Sequence, residues 1–280
     1  MRDRLHTDSP RNEWLQTARM AAEGARRVHN KWHGSIESAR IEEKGPGDYV
    51  SEVDREAQDA ALAIILARHP DHLILAEEDA EEIGAPQATA TGSTPLWIVD
   101  PLDGTANYLH GHPMSCVSVA LAVDGEPIVG VVVQPETGER WWAVAGHGAW
   151  KNGRPIRVST VTRFDRALIG TGFPFKFREK IPAYVMQLGR VLQVTAGVRR
   201  AGSAALDLCY LAQGSIDAFW ELVLHPWDFA AGFLILREAG GVATRLDGSK
   251  MTLESGSWLA ANSPEFREAL YRAVTGEANP

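Results

Sequence analysis

The sequence has little cysteine and no excess of basic residues. It contains only 2 cysteines, Cys116 and Cys209, both in apolar surroundings, which predicts neither a disulfide framework nor a thiolate metal site. A reduced, cytoplasmic compartment is therefore expected. The formal net charge of -8 argues against direct nucleic-acid binding, since binding to a phosphate backbone depends on clustered lysine and arginine.

Long apolar runs are also missing. Residues 1–13 are polar and charged, and no apolar run in the chain reaches the length needed to span a membrane, so neither export nor membrane insertion is expected. With 45% hydrophobic and 23% charged residues, the chain can form a large core. We predict one domain over residues 1–280, with an α+β half at about 1–158 and an α/β half at about 159–280.

Periodicity supports this division into halves. Apolar residues at helical spacing predict an amphipathic helix over residues 14–28, and residues 81–95 read as a polar loop. Three strands with short turns within residues 116–144 predict an antiparallel meander. Beyond it, strands alternate with helices at residues 181–194 and 203–213, which is typical of an α/β arrangement.

The most informative segment has two aspartates directly after an apolar run. Residues 96–99 read as a buried strand that delivers Asp100 at its end, and Pro101 is expected to stop the strand there. Asp100 and Asp103 then lie on one turn, close enough to share divalent cations. The alternative is an ordinary Asp-rich turn after a strand, because aspartate is a common turn residue.

The residues that follow suit a bound phosphate. Gly104 lets the backbone approach a ligand without a Cβ in the way, and Thr105 adds a hydroxyl beside the aspartates. If residues 105–109 form a helical turn, its unpaired N–H groups face the same place and favour an anion. Hard oxygen ligands beside free amides predict a magnesium-dependent phosphatase.

Further acidic residues stand at the ends of other predicted elements. Apolar residues 73–76 end in Glu77, and Asp228 precedes an apolar helical pattern over residues 229–238. A carboxylate at a helix N-terminus is favourable and could also reach a metal. Capping of the helix would explain Asp228 equally well.

A glycine-rich loop over residues 44–54 leads into a helix that is predicted to end near Arg68. Ser51 followed by Asp54 fits a capping box at the start of that helix. Both residues therefore have a structural interpretation beside any functional one.

These motifs resemble the inositol monophosphatase family of magnesium-dependent, lithium-sensitive sugar phosphatases, in its bacterial form. The likeness covers nearly the whole chain and rests on four separated motifs in the family's order. They are residues 47–54, the pair Glu77-Glu78, residues 97–105 with Asn107, and residues 227–232 followed by 238–241. The resemblance implies a layered α-β-α-β-α fold of mixed α+β and α/β character, a phosphate-ester substrate and a homodimer.

The resemblance also implies metal ligands. Glu77, Asp100 and the backbone carbonyl of Leu102 match the ligands of a first metal. Asp100, Asp103 and Asp228 match those of a second, and Glu77 also contacts a loosely held third ion. The implied cofactor is Mg²⁺, with two or three ions per site. Zinc is disfavoured because the ligands are hard carboxylates.

Catalytic roles follow from the same resemblance. Thr105 with Asp54 matches the pair that orients and helps to deprotonate the attacking water, with Glu77 as a further catalytic carboxylate. Gly104 and Thr105 match the residues whose amides bind the phosphate. Metal ions lower the pKa of bound water and spread the phosphoryl charge, so no covalent phosphoenzyme is required.

The implied substrate site contains both small and acidic residues. Gly202, Ser203 and Ala204 resemble the segment that lines a polyol site, and Glu221 matches an acidic residue that binds inositol hydroxyls. Asp103 has a second role there. A carboxylate can accept two hydrogen bonds from a polyol. The alternative for Glu221 is a solvated charge at a strand end.

Three functions are compatible with the sequence. The first is hydrolysis of inositol monophosphate or a similar polyol phosphate. The second is the same chemistry on histidinol phosphate, fructose 1,6-bisphosphate or 3'-phosphoadenosine 5'-phosphate. The third is an additional role in binding the transcription machinery, as in some bacterial relatives. The basic pair Arg199-Arg200 could steer an anionic substrate or belong to an exposed turn.

Overall fold

The fold consists of helices and strands arranged in layers. The computed structural model describes residues 10–34, 39, 41–45, 48–79 and 93–277. The helices in these residues are α1 (Pro10–Trp32), α2 (Glu52–Arg68), α3 (Thr105–Leu109), α4 (Ile181–Val194), α5 (Ala204–Ala212), α6 (Pro226–Glu238) and α7 (Pro264–Thr275). The strands are β1 (Ile41–Gly45), β2 (Asp48–Ser51), β3 (Leu73–Ala76), β4 (Leu96–Asp103), β5 (Cys116–Val123), β6 (Glu126–Val133), β7 (Arg140–Val144), β8 (Ala149–Lys151), β9 (Arg154–Ile156), β10 (Leu168–Thr171), β11 (Gly197–Arg199), β12 (Ala218–Leu224), β13 (Val242–Thr244) and β14 (Gly256–Ala261).

The larger sheet has seven strands in the order β3-β4-β5-β6-β7-β8-β9. Strands β4 to β9 pair antiparallel with their sequence neighbours, which confirms the predicted meander, while β3 pairs parallel with β4. The parallel pair brings the carboxyl ends of β3 and β4 to the same edge of the sheet. The acidic residues that follow these two strands are therefore neighbours.

The smaller sheet has five strands in the order β11-β10-β12-β14-β13. Strand β10 pairs parallel with both β11 and β12, and β14 runs antiparallel between β12 and β13. Helices separate most of these strands in the sequence, as the periodicity predicted for the second half of the chain.

The two sheets and the helices form five layers. Helices α1 and α2 pack on one face of the larger sheet, and α5 and α6 pack on its other face. Helices α5 and α6 also contact the smaller sheet, whose far side is covered by α4 and α7. The layer order is α-β-α-β-α, as expected. One core cluster joins residues of both halves of the chain.

Two predictions about local structure were wrong. Strand β4 continues through Pro101 to Asp103, because its pairing with β5 shifts register after Asp100, where a proline needs no ladder hydrogen bond. The predicted loop over residues 44–54 contains an antiparallel pair, β1 and β2, before α2 begins. Its residues 46 and 47 lie outside the described part, as does most of the loop predicted at residues 81–95.

No helix in the described ranges is both long and apolar enough to cross a membrane. The two cysteines are buried and free, which agrees with the absence of a disulfide expected from their number.

Candidate functional site

Four carboxylates from three parts of the chain line one cavity of about 170 Å³. Glu77 follows β3, Asp100 and Asp103 belong to β4, and Asp228 lies in the first turn of α6. The amide of Glu77 donates to the carbonyl of Val99 at 3.1 Å, which continues the parallel pairing past the end of β3. The sheet edge and the start of α6 therefore bring these side chains together.

The register shift in β4 orients its two aspartates. The amide of Leu102 donates to Asp100 Oδ1 at 3.0 Å and closes a tight turn within the strand. Asp103 Oδ2 accepts from Ser203 Oγ at 2.7 Å and from the amide of Ala205 at 2.9 Å. These bonds tie β4 to the start of α5, so the predicted metal-ligand motif and the predicted polyol segment are in direct contact.

Asp54 uses its two oxygens for two purposes. Oδ2 accepts from the amide of Ser51 at 2.8 Å and from the Ser51 hydroxyl, which completes the predicted capping box of α2. Oδ1 accepts from Thr105 Oγ1 at 2.9 Å, and this hydroxyl also lies 3.1 Å from the carbonyl of Leu102. The structural and functional interpretations of Asp54 are therefore compatible.

Asp228 is placed in the same way. Its Oδ2 accepts from the amide of His225 at 2.6 Å, as expected of a capping carboxylate, and the side chain also lines the cavity. The His225 ring stacks on Trp227 with centroids 4.9 Å apart, and its Nδ1 lies 2.8 Å from Ser255 Oγ. Capping thus fixes the position from which Asp228 faces the cavity.

The cavity concentrates negative charge away from bulk water. Burial and the neighbouring Asp228 and Glu78 raise the pKa of Glu77 to about 8, and burial and Asp228 raise the pKa of Asp103 to about 7. The pKa of Asp100 lies well above its ordinary value for the same reasons, with Glu77 as the first charged neighbour. Carboxylates that oppose one another's ionisation create a strong preference for a cation.

These residues fit a hard divalent cation through the type of donor they offer. In the described ranges, no three His, Cys, Asp or Glu side chains already form a group that could hold a metal ion. The carboxylates instead share one cavity, where burial and the charge of Asp228 raise the pKa of the other three. An all-oxygen donor set of this kind is the one that Mg²⁺ prefers.

Gly104 marks a close approach of three backbone segments. It has φ +90° at the start of α3, and a Cβ placed there would lie 2.8 Å from the carbonyl oxygen of Met114 and 3.1 Å from that of Gly202. Asn107 Nδ2 donates to the carbonyls of Met114 at 2.6 Å and Ala201 at 2.9 Å. A glycine is therefore required here for packing and for access of the backbone to the cavity.

The predicted polyol residues lie on the far wall of the cavity. Gly202, Ser203, Ala204 and Glu221 all line it. Glu221 lies within β12 rather than at a solvated strand end, so that alternative is wrong. Burial and the charge of Asp228 raise the pKa of Glu221 well above its ordinary value.

Several residues in the cavity were not predicted as site residues from the sequence. They are Asp207 in α5, Arg200, Lys176, Gly172 and the aromatic pair Phe173 and Phe175. Asp207 carries the clearest signal, because it is a single charged residue within the apolar helix Ala204–Ala212, four positions after the capping Ser203.

The fold and the site together define a layered α-β-α-β-α protein with an acidic, oxygen-rich cavity between its two large sheets. Comparison with known families gives the class: the sequence model of the Inositol monophosphatase family matches residues 11–278, and the chain belongs to this family. Membership supports a phosphatase, and the family is generally metal-dependent.

Individual relatives agree with this assignment. The chain is 39% identical to an inositol-1-monophosphatase of Mesorhizobium japonicum over 94% of this chain and 97% of that protein. It is 41% identical to the Nus factor SuhB of Pseudomonas aeruginosa over 82% of this chain and 84% of that protein. The crystal structure of the extragenic suppressor protein suhB from Bartonella henselae superposes with a TM-score of 0.86 at 36% identity, covering 95% of this chain and 100% of that one.

Proposed function

We propose that the protein is a Mg²⁺-dependent phosphomonoesterase that hydrolyses inositol monophosphate or a similar polyol phosphate. The observation that carries this proposal is the convergence of Glu77, Asp100, Asp103 and Asp228 on one cavity, beside the hydrogen-bonded pair Thr105 and Asp54. The family and the name of the Mesorhizobium relative support the substrate.

The proposed ligands follow the arrangement of the cavity. Glu77, Asp100 and the carbonyl of Leu102 would hold a first ion, and Glu77 would contact a loosely held third. Asp100, Asp103 and Asp228 would hold a second ion. When bound, the ions lower the pKa of a coordinated water and neutralise the charge that develops on the phosphoryl oxygens and the leaving group.

The protein's own groups would position and deprotonate the water. The Thr105 hydroxyl donates to Asp54 Oδ1, which leaves its lone pairs free to accept a hydrogen bond from the water. Burial raises the pKa of Asp54 to about 6, a value that suits a group accepting a proton near neutral pH. The amides of Gly104 and Thr105 would bind the phosphate.

The alcohol part of the substrate would lie against the side of the cavity formed around the start of α5 and by β12, which we call the second wall. Asp103, Gly202, Ser203, Ala204 and Glu221 would line its binding site. Glu221 accepts hydrogen bonds but cannot donate them when ionised, which suits the hydroxyl groups of a polyol.

Phosphate release tests the proposal directly. The substrates are inositol 1-phosphate, histidinol phosphate, fructose 1,6-bisphosphate and 3'-phosphoadenosine 5'-phosphate, each with Mg²⁺ and with a chelator. We expect Mg²⁺-dependent release with inositol 1-phosphate preferred. Preference for another compound would keep the chemistry and change the substrate, whereas no release from any of them would contradict the proposal.

A second role is favoured by one observation, the printed name of the Pseudomonas relative as a Nus factor. We propose that this chain also contacts the transcription machinery through a surface outside the cavity. Capture of RNA polymerase components from a lysate should then survive Asp100→Asn. Loss of capture with that variant would tie binding to the catalytic state instead.

A further inference from the structure

Asp207 is a buried carboxylate that no group in the described part of the chain satisfies. The residue is 3% exposed and lines the cavity, yet no donor reaches either of its carboxylate oxygens within those residues. Other buried aspartates differ: Asp217 accepts from Ser159 Oγ at 2.6 Å and from the amide of Leu168 at 2.8 Å. A buried acceptor without a donor is unfavourable unless water or a ligand supplies one.

The position of Asp207 on α5 is set by the start of that helix. Ser203 caps α5, and the amide of Asp207 donates to the Ser203 carbonyl at 3.0 Å, so the two side chains lie one turn apart on the same face. Leu208 and Cys209, on other faces, are buried in the core between the sheets. The start of α5 therefore places the side chains of Ser203 and Asp207 in the lining of the cavity.

Two glycines lie next to a pair of carboxylates in this part of the cavity. A Cβ at Gly170 would lie 3.4 Å from Asp207 Oδ1, and a Cβ at Gly172 would overlap the carboxylate of Glu221. The backbone of residues 170–172 thus runs directly beside both acidic side chains. A side chain at Gly172 would occupy the space of the Glu221 carboxylate, whereas one at Gly170 would first meet Ile216 and Phe219.

Arg200 adds a donor to this wall. Its guanidinium lies 4.6 Å from the ring centroid of Phe175 and 5.1 Å from that of Phe173, and its buried Nε has no hydrogen-bond partner among the described groups. Burial raises the pKa of Asp207 and of Glu221, and the positive charge of Arg200 opposes that rise in both. Arg200, Asp207 and Glu221 all line the same cavity.

We propose that Asp207 and Arg200 form, beside Glu221, a subsite that binds further hydroxyl groups of the substrate's polyol part. This inference rests on the proposed phosphatase function and extends it to substrate choice. A hydroxyl group can donate to Asp207 and accept from Arg200 at the same time.

The test compares two substrates in each variant, inositol 1-phosphate and the hydroxyl-free ester p-nitrophenyl phosphate. Asp207→Asn keeps the shape of the side chain and removes the charged acceptor. We expect the ratio of kcat/KM for inositol 1-phosphate to that for p-nitrophenyl phosphate to fall about 10- to 100-fold, mainly through a higher KM for inositol 1-phosphate. Arg200→Gln should also lower this ratio, and it does so while leaving the buried carboxylate of Asp207 in place.

The matched control is Asp217→Asn, which alters an equally buried aspartate whose donors are structural and should leave the ratio unchanged. An unchanged ratio in Arg200→Gln and in folded Asp207→Asn would overturn the subsite. An equal fall for both substrates would also overturn it, because Asp207 would then act through the catalytic carboxylates.

The experiment also distinguishes failure of the proposed phosphatase function from failure of the subsite. If the wild type releases no phosphate from either ester, the rise in melting temperature caused by inositol 1-phosphate with Mg²⁺ becomes the measurement. Loss of that rise in Asp207→Asn and Arg200→Gln would support the subsite, and its persistence in both would overturn it.

Discussion

At the scale of single residues, capping and catalysis are not competing explanations. Asp54 and Asp228 each use one oxygen to accept a backbone amide at a helix start. The second oxygen of Asp54 is left for the Thr105 hydroxyl, and Asp228 still lines the cavity. Because a carboxylate has several lone pairs, the local structural role fixes the side chain for the proposed functional one.

Replacing Asp100 by the uncharged Asn should lower turnover without lowering the stability of the fold. In Asp100→Asn the amide oxygen can still accept from the amide of Leu102, while the charge proposed to be shared by two ions is lost. We expect kcat to fall about 10³-fold or more, since metal ions supply several kcal/mol of transition-state stabilisation. With a chelator present, the melting temperature of Asp100→Asn should be no lower than that of the wild type, because the substitution removes a buried negative charge that neighbouring carboxylates repel.

Exposed Asp59 on α2 provides the control for this experiment, and Asp59→Asn should behave as wild type in both measurements. Mg²⁺ should raise the melting temperature of the wild type and of Asp59→Asn more than that of Asp100→Asn. Near-normal turnover by a pure sample of Asp100→Asn would show that the proposed metal ligands are wrong.

At the scale of elements, a histidine cluster joins the end of α2 to α1 and β4. The His69 and His72 rings stack with centroids 4.6 Å apart, and Trp97 Nε1 donates to His72 Nδ1 at 3.0 Å. Thr17 Oγ1 lies 3.0 Å from His69 Nε2 and accepts from Arg68 Nε at 2.8 Å. The hydrogen bond from Trp97 requires His72 Nδ1 to be unprotonated, so the His72 ring must remain neutral to keep this contact.

Burial lowers the pKa of both histidines; the charge of Arg68 adds to this at His69, and Glu13 opposes it at both rings. At His72 the neighbouring His69 lowers the pKa further, while Asp71 opposes it. Because the folded-state pKa values lie below the ordinary value, the stabilising contribution is present above about pH 6.5 and is lost as pH falls through the folded values. The free energy of unfolding should therefore decrease on acidification by at most about 1.4 kcal/mol per pH unit for each histidine.

His72→Asn tests this pH dependence. The asparagine oxygen can replace Nδ1 as acceptor for Trp97 and does not titrate, so the free energy of unfolding should fall less steeply between pH 6.5 and 5 than in the wild type. Urea unfolding across this range measures the difference, with exposed His147→Asn as the control. Identical slopes for wild type and His72→Asn would show that His72 does not link folding to pH.

Among the helices and strands, some could be predicted from the sequence and others could not. Long apolar segments, such as those of β5 and α6, are predictable because nearly all of their residues are apolar and most are buried. The pair β1 and β2 was missed because glycine and proline are concentrated in the sequence Gly45-Pro46-Gly47, which reads as a loop. Strand β4 was cut short because a local rule for proline does not account for a register shift.

At the scale of the whole molecule, the sequence predicts the grouping of the proposed metal ligands better than it predicts the residues of the second wall of the cavity. Asp100, Asp103 and Thr105 are adjacent in the sequence, so their grouping follows from one strand and the turn after it. Asp207 and Arg200 reach the cavity because α5 packs between the sheets, and the backbone at Gly172, just after β10, passes directly beside the Glu221 carboxylate. Contacts of that kind depend on tertiary packing, which periodicity does not contain.

Helix α4 gives the whole molecule an exposed apolar stripe. It packs inward through Tyr184 and Val191, while Val185, Met186 and Leu192 are 57%, 59% and 52% exposed. Contiguous apolar surface of this kind is unusual on a monomer. A stripe along one helix can pair with its own copy about a two-fold axis, so we propose that α4 forms the interface of the homodimer expected from the family.

The mass in solution tests this interface. Val185→Glu places charges that face each other across the two-fold axis, so we expect a dimer for the wild type and a shift toward monomer for the variant by light scattering. Met20→Glu is the control, because Met20 is a 48% exposed apolar residue on α1, outside the stripe, and should leave the dimer intact. The α4 interface would be contradicted by a monomeric wild type, or by a Val185→Glu variant that stays dimeric at micromolar concentration.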